Sequence, residues 1–491
     1  MSPRIAAGEG TEAKSTEGQY LILLKNKKIA SQMNDRESLD ELANRFPSSF
    51  VWGVASSAFQ IEGASVADGK GASIWDEFCR LPGVIADGSD GRTACDHYNR
   101  LESDLDLIAG LGVEAYRFSI SWPRIQPTGS GEAVGPGIDF YNRLVDGLLE
   151  RDIEPFATLY HWDLPAALQR EHGGWADRNT AYRFAEYAAL IAERLGDRVR
   201  SFATHNEPWV TATIGHELGH FAPGIKNRAV AMQVSHHCLL SHGLAAKAMR
   251  SARSNLDVGI VLNLSPVYSA TDSPADTMLA AREDGLLVRW YMDALLRGEY
   301  PADILEHLAA DAPQIQDGNA QLIAQPLDFL GVNYYHPIVS IAGRPFSPAR
   351  EGAIVTDMGW EVAPANLTDL LVRLDRDYDL PPLFITENGA AYPDLVIDGG
   401  VKDEDRRAYI ESHIRAIADA IDQGVDVRGY FVWSLLDNFE WAAGYTKRFG
   451  IYYVDYQTQT RILKRSGFWY KDLAAAFNRT NAGRRRAREG T

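Results

Sequence analysis

A chain of 491 residues with 45% hydrophobic and 23% charged side chains is composed like a folded soluble enzyme and unlike a disordered chain. Its 49 Lys and Arg against 66 Asp and Glu leave a formal net charge of −17. Such a surface repels phosphate backbones and anionic lipid, which argues against nucleic acid or a membrane as partner.

Residues 1–45 read as a flexible polar extension, with a short amphipathic helix over 36–46. Within it, Tyr20-Leu21-Ile22-Leu23-Leu24 is too short for the apolar part of a secretion signal and runs into Lys25, Lys27 and Lys28. Over residues 46–478, short β-rich apolar runs alternate with longer helical patterns. The runs cover 50–56, 115–121, 154–161, 200–208, 257–265, 329–335, 383–389 and 427–438. Apolar residues recur at helical spacing between them, as at 141–151, 180–195 and 405–424. Continuous apolar strands separated by helices mean a parallel sheet covered on both faces. Eight such units fit a closed α/β barrel, the (β/α)8 TIM barrel, as a single catalytic domain with long loops.

The last segment, 479–491, carries Gly483-Arg484-Arg485-Arg486-Ala487-Arg488 and is read as a solvated basic tail rather than an arm for an anionic partner. No apolar run approaches the ~20 residues that a membrane span needs. Cys79, Cys95 and Cys238 lack CxxC spacing. They fit free thiols in a reducing, cytoplasmic compartment, one disulfide with a spare thiol being the alternative.

Chemistry in such a barrel gathers where the strands end and the loops begin. There the sequence places polar and aromatic residues that a buried strand does not need. The first run reaches Gln60 and Glu62, the third ends in His161-Trp162-Asp163, and the fourth in Asn206-Glu207-Pro208. The sixth ends in Asn333-Tyr334-Tyr335 and the seventh in Thr386-Glu387-Asn388-Gly389. The eighth runs from Trp433 to Asp437, and Glu440-Trp441 follow. A lone glutamate at a strand end usually caps a helix or pairs with a cation. Two of them amid Trp, Asn, Gln and His point instead to a sugar site. Amides and imidazoles both donate to and accept from hydroxyls, and indole faces suit the C–H face of a pyranose.

These segments carry a resemblance. Thr204-His205-Asn206-Glu207-Pro208 resembles the T-x-N-E-P acid/base motif of glycoside hydrolase family 1, the β-glucosidase family, and Ile385-Thr386-Glu387-Asn388-Gly389 its I-T-E-N-G nucleophile motif. The likeness extends through Phe50-Val51-Trp52-Gly53, Gln60-Ile61-Glu62-Gly63, Asp96-His97-Tyr98, Tyr116-Arg117-Phe118-Ser119-Ile120-Ser121-Trp122, Tyr160-His161-Trp162-Asp163-Leu164-Pro165 and Asn438-Phe439-Glu440-Trp441. It implies that Gln60, His161, Trp162, Asn206, Glu440 and Trp441 hold the innermost sugar, with Asn206 at its 2-hydroxyl and Trp433 as floor. It implies also that Phe449 closes the pocket and that Asn333, Tyr335 and Arg117 surround Glu387.

The implied reaction is retaining hydrolysis of terminal β-D-glucosides or short oligosaccharides. Glu387 would be the nucleophile and Glu207 the acid/base, the carboxyl groups ~5–5.5 Å apart. No metal or organic cofactor is needed. Arg117 and Tyr335 would favour ionised Glu387, whose charge, with desolvation, would keep the proton on Glu207. Two relatives differ at diagnostic positions. The family's thioglucosidases carry Gln where Glu207 stands. Its phospho-glycosidases replace the Glu440-Trp441 region with a phosphate clamp, and an anionic Glu440 would repel a 6-phosphate. Since Gln60 and Glu440 can serve a 4-hydroxyl in either configuration, β-galactosides and β-fucosides are expected substrates too.

A metalloprotease is the first rival, because His216-Glu217-Leu218-Gly219-His220 matches H-E-x-x-H. Glycines at 215 and 219 and Pro223-Gly224 argue against the uninterrupted helix that motif needs, so the segment is read as the loop after the fourth strand. His236-His237-Cys238 is read as a packed helix face. A non-catalytic sugar-binding protein on the same scaffold is the second rival, and such a protein is expected to lack one carboxylate. The leaving-group side is assigned to loops 223–227, 337–357 and 443–448, with Trp360 as a platform. Self-association is left open by the sequence.

Overall fold

The computed structural model of the chain describes residues 37–344 and 347–489. Positions 1–36 of the expected extension and the last two residues of the basic tail lie outside the described residues. Eight strands follow the eight apolar runs: β1 (Val51–Ala55), β2 (Ala115–Ser119), β3 (Glu154–Tyr160), β4 (Ser201–Asn206), β5 (Asp257–Asn263), β6 (Leu330–Asn333), β7 (Leu383–Asn388) and β8 (Val427–Trp433). Each is parallel to its neighbours, and β8 pairs back on β1, Val51 opposite Gly429 and Ala55 opposite Trp433, so the sheet closes. The barrel inferred from the sequence is therefore the observed architecture.

The barrel centre is filled by rings. Phe156, Phe384 and Phe431 pack together with centroids 5.1 and 5.7 Å apart. Their bulk requires bare backbone nearby: a Cβ on Gly53 would lie 2.4 Å from the Phe431 ring. Ladder irregularities fall beside the polar strand ends, between Ala203 and Asn206 on the β4–β5 pair and between Val332 and Asn333 on the β6–β7 pair. Such offsets re-aim the side chains that follow them.

Helices cover the outside. Helix α1 (Leu39–Asn44) is held by a capping box of Ser38 and Glu41. It lies within the segment expected to be an extension, and the amphipathic helix read there is present. Helices α2 (Gly135–Leu149), α3 (Asn179–Leu195) and α4 (Arg228–Ala252) follow, then α5 (Pro364–Asp377) and α6 (Glu404–Asp422). Helix α7 (Arg465–Glu489) runs on through most of the segment read as a tail. Helices α1 and α7 meet over a nest of rings in which Trp52 lies 4.9 Å from Phe46 and 5.9 Å from Phe477. All three cysteines are free thiols. No described helix is long and apolar enough to cross a membrane.

Beneath the loops after β7 and β8 lies a buried charge network. Lys464 Nζ contacts Asp437 at 2.6 Å and Asp394 at 2.5 Å, and all three side chains are at most 1% exposed. Arg406 reaches Asp394 at 2.9 Å and pairs with Asp403, and Arg448 reaches Asp437 at 2.7 Å. Three cations balance three anions, the condition under which buried charge is tolerable.

Candidate active site

The strand ends converge at one mouth of the barrel. Strand β4 ends with Asn206, and Glu207 follows in the left-handed region at φ +49°. Trp162 after β3 (φ +73°) and Trp441 after β8 (φ +48°) share that backbone region. Non-glycine residues rarely adopt it, and each instance stores about 1–3 kcal/mol that the surrounding packing must offset. Glu207 is fixed by its own N–H, which donates to the Val261 carbonyl at 2.9 Å. At the end of β7, a Cβ on Gly389 would sit 1.7 Å from the Trp433 carbonyl oxygen, so the residue two beyond Glu387 can only be glycine.

Glu207 and Glu387 are both buried, at 6% and 3% exposure, and one hydrogen-bond network joins them. The Asn333 amide donates to Glu207 Oε1 at 2.5 Å and to Asn206 Oδ1 at 3.1 Å. Arg117 donates through Nη2 to Asn206 Oδ1 at 2.7 Å and through Nη1 to Glu387 Oε1 at 2.6 Å. The Tyr335 hydroxyl donates to Glu387 Oε2 at 2.7 Å. The Asn206 amide in turn donates to His161 Nε2 at 3.2 Å, and burial with the Arg117 charge holds that imidazole well below its ordinary pKa, hence neutral.

The two carboxyls are electrostatically unequal. Burial and then the charge of Glu387 push Glu207 up to about 8. Burial raises Glu387 as well, but the Arg117 cation and the Tyr335 hydroxyl oppose it. The pair therefore keeps its proton on Glu207 and its charge on Glu387. Glu440 differs from the sequence reading. Burial and the Glu387 charge push it up to about 8, which favours its protonated form at neutral pH. Its Oε2 is buried without a hydrogen-bond partner, as a group awaiting a ligand hydroxyl would be.

A cavity of about 380 Å³ opens over this pair. Ten of the residues assigned from the sequence to the catalytic pair and the sugar line it: Glu207 and Glu387, with His161, Trp162, Asn333, Tyr335, Trp433, Glu440, Trp441 and Phe449. The rings are mutually braced, Trp441 lying 4.6 Å from Trp162 and His161 stacking 5.8 Å from Trp433. Gln60, Asn206 and Arg117 stand behind this wall. Gln60 is wholly buried, its amide donating to Asn438 Oδ1 at 3.0 Å and the Phe439 carbonyl at 2.9 Å.

The outer wall is where sequence reading falls short. Trp360, Ile338 and Pro348 line it as expected, but no residue of 223–227 or 443–448 does. Trp209, Val210, Ile214, Phe221, Leu287 and Met358 take that place. Asn263 and Ser265 at the end of β5 also line the cavity. The rule of polar strand ends applies to them equally and would have found them.

The H-E-x-x-H segment is not a simple loop. Residues Val210–Glu217 form a π-helical segment that ends where Gly219 turns left-handed at φ +67°. His216 is buried with Nδ1 2.7 Å from the Thr211 carbonyl, whereas His220 is exposed on the cavity rim. The two imidazoles therefore share no helix face. Among the described residues, no three His, Cys, Asp or Glu side chains cluster as a metal site. His236, His237 and Cys238 are buried in α4, as read from the sequence.

Comparison with known proteins yields a consistent set of likenesses. Residues 42–479 match the family model described as glycosyl hydrolase family 1. The chain is 46% identical over 451 residues to a β-glucosidase of an Agrobacterium species, covering 90% of this chain and 98% of that protein. It is 43% identical to a bifunctional β-D-glucosidase/β-D-fucosidase of Bifidobacterium breve, covering 88% of this chain and 98% of the other. Among solved structures, a Thermotoga maritima β-glucosidase in complex with glucoimidazole superposes with a TM-score of 0.85 at 44% identity, covering 88% of this chain and 99% of that one.

Proposed function

The chain belongs to glycosyl hydrolase family 1, and from that premise we propose that it is a retaining β-glucosidase that releases terminal β-D-glucosyl residues through Glu387 and Glu207. The observation that carries the reading is the unequal pair. One buried carboxyl holds its proton with a pKa near 8, and its neighbour is gripped by a guanidinium at 2.6 Å and a phenol at 2.7 Å. Glycoside cleavage needs these two states at once.

In the first step a Glu387 oxygen attacks the anomeric carbon. The glycosidic bond breaks, and its electron pair leaves on the departing oxygen, which takes the proton from Glu207. The sugar is then an ester of Glu387. Loss of that anion removes the main charge raising Glu207, so Glu207, now a carboxylate, accepts a proton from an incoming water. The water oxygen attacks the anomeric carbon and Glu387 departs as carboxylate. Two inversions give net retention.

The binding roles follow the cavity. Trp433 is the floor, Phe449 the closed end, and His161, Trp162, Trp441 and Glu440 the hydroxyl-facing wall. The unpartnered Glu440 oxygen supports that assignment. Gln60 and Asn206, both hydrogen-bonded internally, would each exchange one such bond for a sugar hydroxyl. Relaxed specificity toward β-fucosides and β-galactosides belongs to the same reading, supported by the named bifunctional relative. The proposal also includes a catalytic unit spanning 46–478, a role in trimming cellulose fragments, and a reducing, cytoplasmic compartment suited to three free thiols.

The test is direct. Incubation with an activated 2-deoxy-2-fluoro-β-glucoside should leave one sugar attached at Glu387, detectable by peptide mass, and NMR should show β-glucose as first product. α-Glucose as first product would defeat the reading.

A further inference from the structure

The hydrogen bonds around the catalytic pair run in one direction, and Arg117 sets it. A guanidinium only donates, so the Asn206 atom 2.7 Å from Arg117 Nη2 must be the amide oxygen. The Asn333 atom 3.1 Å from that oxygen must then be its NH2 nitrogen, since two amide oxygens would repel. The same nitrogen lies 2.5 Å from Glu207 Oε1. Oε1 is thereby fixed as an acceptor. Among the described residues, the other oxygen, Oε2, makes no hydrogen bond.

With its nitrogen committed, Asn333 turns its amide oxygen toward β7, where Thr386 Oγ1 donates to it at 2.8 Å. Thr386 is 2% exposed and precedes Glu387 in the nucleophile motif. Its own place is set from two sides. Arg117 Nη1 donates to its carbonyl at 3.2 Å. On β6, a Cβ at Gly331 would lie 2.9 Å from both Oγ1 and Cγ2 of Thr386, so bare backbone there gives the side chain room. The threonine hydroxyl thus closes a chain that runs from Arg117 through Asn206 and Asn333 to the acid.

We propose that Thr386 is a positioning residue for proton transfer: by holding the Asn333 amide with its NH2 end on Glu207 Oε1, it leaves Oε2 as the oxygen that carries the proton and gives it up. The inference rests on the glucosidase reading and deepens it. In the bond-breaking step the O–H bond at Oε2 breaks, its electron pair stays on the carboxylate, and the proton joins the departing glycosidic oxygen. In the second step Oε2 takes the proton of the incoming water. An amide turned the other way would present its oxygen to Oε1. The acid proton would then sit between Oε1 and Asn333 instead of facing the glycosidic oxygen.

The test is Thr386→Val, which keeps the shape of the side chain and removes its hydroxyl. Asn333 Oδ1 then lacks its donor, and the amide either turns over or grips Oε1 less firmly. Both results favour the protonated carboxyl, so the alkaline limb of kcat/KM should move up by about half to one pH unit. Phenyl β-glucoside, which needs the proton, should lose about ten- to a hundredfold at pH 7, part of what general acid help supplies. Pre-steady-state release from dinitrophenyl β-glucoside should change by less than about threefold. Thr386→Ser, which returns the hydroxyl, should restore the limb and recover most of the loss. Thr386→Cys, with a weak donor, should fall between the two and keeps the inference testable if Thr386→Val folds poorly. An unmoved limb in Thr386→Val, equal losses on the two substrates, or Thr386→Ser behaving like Thr386→Val would overturn the inference. A wild-type chain inactive on every β-glucoside would instead overturn the glucosidase reading beneath it.

Discussion

Replacement of Glu207 by Gln tests the charge asymmetry at its source. Glutamine keeps the size of the side chain and its contact with Asn333 but has no proton to transfer. With a pKa near 8, Glu207 is about nine-tenths protonated at pH 7, and its acid form disappears as pH rises through 8. Wild-type kcat/KM for a phenyl β-glucoside should therefore fall tenfold per pH unit above about 8. General acid help is worth about 10²–10⁴-fold, so Glu207→Gln should lose about that much on phenyl glucoside. It should lose far less in the bond-breaking step on dinitrophenyl glucoside, whose leaving group needs no proton. Pre-steady-state release of dinitrophenol isolates that step, and Glu207→Ala with azide should regain turnover as β-glucosyl azide. Equal losses on both substrates, or an alkaline limb near pH 8 that survives in Glu207→Gln, would refute the reasoning.

Three further outcomes follow from particular contacts. Tyr335→Phe removes one hydrogen bond to the charged Glu387, a contact worth about 1.5–3 kcal/mol, so kcat/KM should fall about ten- to a hundredfold with the urea midpoint little changed. Lys464→Met leaves Asp394 and Asp437 buried with reduced compensation and should cost about 3–5 kcal/mol in equilibrium unfolding. Burial lowers His216, His236 and His413 to about 4 and His242 to about 3. These imidazoles stay neutral in the folded chain but charge near 6.5 when it unfolds. Their stabilisation is therefore present above 6.5 and lost as pH falls from there toward 4, by about 2 kcal/mol per residue between pH 7 and 5. Urea titrations at several pH values should show it, and a midpoint unchanged down to pH 5 would count against it.

The barrel was legible because its strands are unbroken apolar runs, and the catalytic pair because two motifs sit on strand ends. What escaped depends on distance through space. Val210, Ile214 and Leu287 are apolar, as core residues are, and only folding shows that they face a leaving-group cavity. Asn263 and Ser265 carry the same mark, polar residues at a strand end, but neither is charged or aromatic, so they stand out less beside the glutamates and tryptophans. The proton on Glu440 was invisible for a different reason: its charge state is set by burial beside Glu387, 53 positions away in the chain. Gly219 did signal a helix break, but not the π-helical turns that precede it, since wide turns leave no periodic mark in a short segment.

Three acids gathered around one formal charge behave as a small proton store. A sugar-shaped amine, cationic at the anomeric position, would find Glu387 already ionised and would draw protons off Glu207 and Glu440 as it settles. Its grip should then tighten as the solution becomes more alkaline, until the amine itself is neutralised. Buffer proton uptake measured by calorimetry would read out how many acids let go.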